Sequence, residues 1–488
     1  MPPSPSTRPH GSEPPIRDRG DACPGALRLH SAADGHLARV RLPAGDLTVR
    51  QAEALADAAD RLGDGHLSLT SRGNAELRGL PDDCGSRLAA LLRDAGLLPS
   101  ERHERIRNIL ASPLAGLDRH TPSDVRLWAR ELDGLLCTSE SAPALSGRFL
   151  FVLDDGRGDV AALGGDVSLV AEPTGTGAPA DHGELSAASG PAGSGGTALL
   201  RAGDDPAALR IAGPDVPRAA LTAAEAFLTA AAASGSGAWR VRELPDGHGL
   251  TARAVAKRLR AAGIGCAEVA GAPAPASVPY ADSTRHAGSV PCADASVPYA
   301  ASSAPGVIEG SDGARALSVL APLGRLSVAQ WRLLTAVAAE DGAGALRLTP
   351  WRGIVIPGLS ADTAVPRLRA LSAAGVITDP DSPWHRIGAC TGRPGCAKSR
   401  TDVRADATAA VMAGTPIPGE PGQQPAALRR LPVYWSGCER RCGHPHGAWV
   451  DVLATAEGYR VSAVRPQSTP APHPAPATPS AAPCPTTS

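Results

Sequence analysis

The chain has 488 residues, 43% of them hydrophobic, which is enough for several domains with sizeable cores. A formal net charge of −1 argues against a general nucleic-acid binder. No apolar run has the length of a membrane span or the layout of a signal peptide, so a cytoplasmic protein without membrane or nucleic-acid partners is expected. Ten cysteines in that setting point to thiols that serve a metal or chemistry rather than disulfides.

Lys257 and Lys398 are the only lysines. The remaining positive charge is arginine, whose planar guanidinium pairs anions in a forked, bidentate way.

Residues 1–20 read as disordered, and a first half-domain as 21–100. In it an apolar strand at 37–42 precedes a capping-box start, Thr48 with Gln51, which satisfies free N–H groups at a helix N-terminus. Leu55, Ala58, Ala59 and Leu62 then recur at helical spacing. Strands at 67–70 and 75–80 and a helix at 84–95 close the unit. An α/β domain is expected over 101–271, with a Gly/Ala/Ser insert at 173–197. Residues 272–306, with SVPYAD, SVPCAD and SVPYAA in near-tandem, read as a low-complexity linker. A second half-domain follows at 307–380, a second α/β domain at 381–464, and a disordered Pro/Ala/Thr tail at 465–488.

The two half-domains are copies. Adding 279 to each number lays TVRQ at 48–51 on SVAQ at 327–330, and GHLSLTSRGNAELRGL at 65–80 on GALRLTPWRGIVIPGL at 344–359, without a gap. The β-α-β-β-α order of each copy predicts an α+β fold. Two ferredoxin-like halves would pack about a pseudo-twofold axis, joined by the two α/β domains.

The same offset places Ala111 on Cys390 and Leu117 on Cys396, so one copy carries thiols where the other is apolar. A single metal site on one half of a duplicated scaffold accounts for that asymmetry. The thiol pattern is Cys390-x5-Cys396, then Cys438-x3-Cys442, both in Gly-rich settings that let backbone N–H groups approach sulfur. Four thiolates suit a 4Fe–4S cube; a zinc ion and buried or redox thiols are the alternatives. The other six cysteines have no partner at ligand spacing.

With ACTGRPGC at 389–396 and SGCERRCG at 436–443, the chain resembles the sulfite/nitrite reductase family, whose signature is C-x5-C followed by a GCxxxCG segment. LSLTSRGNAELRG at 67–79 and RIRNILASPLAG at 105–116 resemble its strand and RNV-type segments. The resemblance implies a 4Fe–4S cluster on Cys390, Cys396, Cys438 and Cys442. It implies Cys442 as the thiolate shared with siroheme in the reductases, and basic residues that hold a tetrapyrrole. By position these are Arg72 and Arg107, with Arg148 where the reductases have the first lysine of a Lys-x-Lys pair. Leu150 stands at the second lysine's place and is read as an apolar residue facing the ring, which departs from the anion-reducing pattern. Arg78 and Arg352, near strand ends, complete the candidate substrate-binding set.

Within the family, TPWRG at 349–353, GRFLFVLDDGRGD at 147–159 and GCERRCGHPHG at 437–447 are similar to the precorrin-3B synthase branch. That implies an oxygen-dependent monooxygenase of cobalamin biosynthesis acting on precorrin-3A and dioxygen by C20 hydroxylation and γ-lactone formation. It further implies a mononuclear non-haem iron beside the cluster, with NADH as electron source. No GxGxxG motif follows a strand, so a separate reductase or ferredoxin is the expected donor. His444 is the candidate iron ligand, with His446, Asp154, Asp155 and Asp159 nearby in the motifs. The alternative function is a siroheme-dependent sulfite or nitrite reductase.

Overall fold

The computed structural model describes residues 21, 23–118, 124–172, 196–270, 304–310, 313–418, 431–445 and 447–465. The expected leader 1–20 and most of the insert, linker and tail lie outside these residues, as do Cys292, Cys484 and His446. Thr197, assigned to the insert, instead opens the strand Thr197–Ala202, and Gly306, assigned to the linker, opens Gly306–Glu309.

The duplication is visible in three dimensions. Both capping boxes form: Thr48 accepts from Gln51 N and Ser327 from Gln330 N, each with the reciprocal glutamine contact. They start the helices Val49–Leu62 and Val328–Glu340, which pack on each other. Across that contact Trp331 Nε1 donates to Ala52 O at 2.8 Å, and these two residues are themselves 279 apart. A large and a small side chain thus occupy equivalent places at the pseudo-twofold axis and fill it together.

Each half also contains a three-residue strand that the alternation pattern is too short to reveal. Asp46–Thr48 leaves the first half and pairs with Ala345–Leu348 of the second; its equivalent, Arg325–Ser327, pairs with His66–Leu69. This mutual exchange gives two five-stranded antiparallel sheets, each completed by the other half. Leu47, Leu55, Leu67 and Leu77 share one core with Leu326, Trp331, Leu346 and Ile356. The halves therefore fold as one body.

The α/β domains repeat at a larger scale. A six-stranded sheet ends on the parallel pair Ile109–Ala111 and Phe151–Asp154. A four-stranded sheet begins with the parallel pair Ile387–Ala389 and Val433–Ser436. Each has its own core, built on the helices Val125–Thr138 and Val216–Ser234 in the first and Val403–Met412 in the second. No helix among the described residues is long and apolar enough to cross a membrane.

Candidate functional site

The parallel register Ala389↔Trp435 brings the C-terminal ends of two strands side by side. Cys390 directly follows the first strand and Cys438 lies two residues past the second. Cys390 N donates to Trp435 O at 3.0 Å, and Gly437 N donates to Cys390 Sγ at 3.2 Å. Burial pushes the Cys390 thiol up, and the Cys396 and Cys438 thiols add to the rise. Burial likewise raises Cys442, followed by the influence of Cys438, Cys390 and Cys396. The four thiols therefore share one neighbourhood. A metal or cluster cation reverses this electrostatic penalty by binding thiolates.

A cavity of about 820 Å³ opens against this region and is lined by both Cys390 and Cys442. Ten arginines line it against two glutamates, Glu76 and Glu243. Four of the five expected substrate arginines are among them: Arg72, Arg78, Arg148 and Arg352. Arg107 is not. Its guanidinium is buried and makes a forked pair with Asp133, both bonds at 2.7 Å, and a third bond to Leu97 O. It ties the RNV-type segment to the helix Val125–Thr138 and corrects the reading of this residue as a cavity arginine.

Leu150 is also corrected. Its side chain is buried with Leu110, Val152, Val160 and Trp351 and is not among the cavity's lining residues. The repeat gives the reason. Adding 279 to the cavity residues Arg39, Arg41, Arg72 and Arg78 gives Ser318, Leu320, Trp351 and Pro357. The lining residue Ala389 is the equivalent of Leu110. The pseudo-twofold mate of the cavity is thus filled by an apolar plug in which Leu110, Leu150 and Trp351 meet. Seven of the ten lining arginines come from the first half and the α/β domain that follows it, and Cys390 and Cys442 come from the second α/β domain.

Spacing alone does not reveal Arg39, Arg41, Arg240 and Arg404, which also line the cavity. Arg39 is paired with Glu76 and Arg240 with Asp166. Among the described residues Arg41 and Arg72 have no carboxylate at ion-pair distance. Arg41 bonds to Arg105 O, Asn108 Oδ1 and Gly147 O; Arg72 bonds to Arg148 O. Burial, with neighbouring guanidiniums, lowers Arg41 to about 9 and Arg72 to about 10. Arg148 lies over the Trp239 ring at 4.7 Å. Arg404, on the first turn of Val403–Met412, has a buried Nε without a partner among the described residues, and burial first, then Arg325 and Arg78, lower its affinity for a proton. Uncompensated cations in one cavity, one of them at a helix N-terminus, are held against electrostatics and suit a ligand with several anionic groups.

His444 is placed away from the cavity lining. Its ring stacks on Trp449 at 4.5 Å and its Nδ1 donates to Pro445 O. Asp154, Asp155 and Asp159 do cluster, with ligand atoms within 4.8 Å of one another. Asp154, however, already accepts from the N–H groups of Gly156, Gly158, Val160 and Ala161, and Asp155 faces Arg157. Only Asp159 Oδ2 is without a partner, and no histidine joins the group among the described residues. This donor set does not fit the histidine-and-carboxylate ligation of an oxygen-activating mononuclear iron.

Residues 30–94 and 308–374 each match the family described as the nitrite/sulfite reductase ferredoxin-like half domain. The chain thus carries this half domain twice. A protein of Sinorhizobium sp. named precorrin-3B synthase is 26% identical over 443 residues, covering 90% of this chain and 82% of that protein. A chloroplastic ferredoxin–nitrite reductase of Zea mays is 30% identical over 128 residues, only 25% of this chain and 21% of that enzyme. The structure of the Mycobacterium tuberculosis NirA protein shares the fold with a TM-score of 0.62 at 17% identity, over 87% of this chain and 74% of that one.

Proposed function

We propose that this chain is an oxidoreductase of cobalamin biosynthesis, a precorrin-3B synthase that uses dioxygen to convert precorrin-3A to precorrin-3B. The observation that carries the reading is the cavity in which Cys390 and Cys442 face Arg41, Arg72, Arg148 and Arg404, none of them paired with a carboxylate among the described residues. A macrocycle rimmed with carboxylates meets those guanidiniums while its face lies toward the thiol loops. The full-length likeness to the Sinorhizobium protein supports this substrate over the anions of the reductases, whose likeness is confined to short segments.

Cys390, Cys396, Cys438 and Cys442 would hold a 4Fe–4S cluster. Among the described residues no three of these sulfurs come within 4.8 Å of one another, whereas sulfurs on a single zinc lie roughly 3.8 Å apart, given Zn–S bonds of about 2.3 Å. When bound, the cluster supplies single electrons, delivered from NADH through a separate donor. The chain's own residues bind and orient: the guanidiniums of Arg41, Arg72, Arg148 and Arg404 fix the carboxylate rim. No step is routed through a mononuclear iron, because the described residues do not present its ligands.

The test is turnover of anaerobically purified protein with precorrin-3A, a reductant and labelled dioxygen. One labelled oxygen atom in the product is expected, with no appreciable consumption of sulfite or nitrite. Purified protein that carries stoichiometric siroheme and reduces sulfite would return the chain to the reductases.

A further inference from the structure

Two arginines of the cavity stand apart from the rest because each donates to a backbone carbonyl beside one of the four cysteines. Arg78, on the strand Ala75–Leu80 of the first half, is buried. Its Nε and Nη2 bond to Asp34 at 3.0 Å each, its Nη1 bonds to Glu76, and Nη2 also donates to Gly395 O at 2.7 Å. Gly395 is the residue before Cys396. Arg352, on the turn before the strand Gly353–Leu359 of the second half, donates from Nη2 to Gly443 O at 2.6 Å. Gly443 is the residue after Cys442. Tyr434 Oη donates to Cys442 O, also at 2.6 Å.

A side chain at either glycine would push these contacts aside. A Cβ on Gly395 would meet Asp34 Oδ2 at 2.7 Å and Arg78 Nη2 at 3.1 Å. One on Gly443, whose φ is +80°, would meet Arg352 Nη2 and Tyr434 Oη at 2.9 Å each. Arg352 itself holds a left-handed φ of 59°, a backbone conformation that costs a side-chain-bearing residue free energy and that a glycine adopts without strain. Its side chain is retained there despite that cost.

We propose that Arg78 and Arg352 are positioning residues for the two thiol loops, one arginine from each ferredoxin-like half, rather than ligands of the anionic substrate. This rests on reading the four thiols as cluster ligands. Each guanidinium reaches across a domain boundary to the carbonyl beside a cysteine, so the halves hold the loops in register with the cavity. A fixed positive charge beside each loop also favours the more reduced, more negative state of a bound cluster.

The experiment uses the full chain, purified anaerobically, as wild type and as Arg352→Gly, Arg78→Gln and Arg78→Lys. Arg352→Gly relieves the strained backbone and so preserves folding. Iron and sulfide are quantified, cluster loss to a chelator is timed, the reduction potential is measured, and uroporphyrin, a stable polycarboxylate tetrapyrrole, is titrated. Expected are at least about tenfold faster cluster loss and a lower potential in Arg352→Gly and Arg78→Gln, partial rescue in Arg78→Lys, and uroporphyrin affinity within about twofold of wild type. Wild-type cluster kinetics and potential with weakened uroporphyrin binding would overturn the proposal and make both arginines substrate ligands. A wild-type protein without iron and sulfide would instead defeat the underlying cluster reading, and the proposal with it.

Discussion

Replacing Arg41 by Met separates what this residue costs the fold from what it contributes to the site. Arg41 is 4% exposed, and its three acceptors are all neutral: Arg105 O at 3.2 Å, Asn108 Oδ1 at 3.4 Å and Gly147 O at 3.0 Å. Burial first, then Arg39 and Arg72, lower it from its ordinary value to about 9. At about 1.4 kcal/mol per pH unit, that drop corresponds to about 5 kcal/mol against the charged form in the folded state. Losing three bonds to neutral acceptors costs about 3 kcal/mol. Arg41→Met is therefore expected to stabilise the unliganded protein by about 2 kcal/mol in urea unfolding. The sign with pH follows from a cation whose folded value lies below its unfolded one. Below about pH 9 both states are protonated and the penalty is constant, so the gain is flat from pH 6 to 8. The wild-type handicap shrinks only as pH rises through and above about 9. Uroporphyrin affinity of the variant falls about tenfold or more, the loss of one charge-assisted contact. A variant destabilised by more than about 2 kcal/mol that binds uroporphyrin as wild type does would refute the argument and make Arg41 purely structural.

Other outcomes follow from the same geometry. Arg107→Ala leaves Asp133 without its buried partner and should lower stability by about 3–5 kcal/mol in chemical denaturation, with the uroporphyrin affinity of the remaining folded protein unchanged; weakened binding at full stability would put Arg107 back in the cavity. Burial, with Asp154 and Asp155 adding, holds the Asp159 carboxyl well above its ordinary range, so the folded state keeps a proton that the unfolded state releases above about pH 4. Wild-type stability is then lost as pH rises, and Asp159→Asn should be the more stable protein at pH 7.5 with an advantage that grows between pH 4 and 7.5; a variant less stable than wild type at pH 7.5 contradicts this. Leu150→Lys places an ammonium among Leu110, Val152 and Trp351 and should reduce the yield of soluble protein, whereas a stable variant with altered tetrapyrrole binding would show that position 150 faces the ring after all.

What could be read from the sequence were features that repeat or lie close together along the chain. The capping boxes at Thr48 and Ser327, the paired strands and the offset of 279 are each local patterns, and the structure reproduces them. The two thiol pairs are legible for the same reason, since three or five intervening residues bring them to one turn. Tertiary structure alone decided which arginines reach the cavity. Arg72 and Arg107 looked alike in their motifs, yet the guanidinium of the first bonds only to a backbone carbonyl, Arg148 O, among the described residues, and the second is taken by Asp133, 26 residues on. Arg41, Arg240 and Arg404 sit in no motif and meet only because three domains close on one space. The strands Asp46–Thr48 and Arg325–Ser327 carry too few residues to show alternation, and their exchange depends on hydrogen bonds to the opposite half. Nor does the spacing show that Trp351 and Leu150 close the second, equivalent cavity. A side chain's exposure is set by whatever packs against it, and at this site those neighbours are up to 317 residues away along the chain.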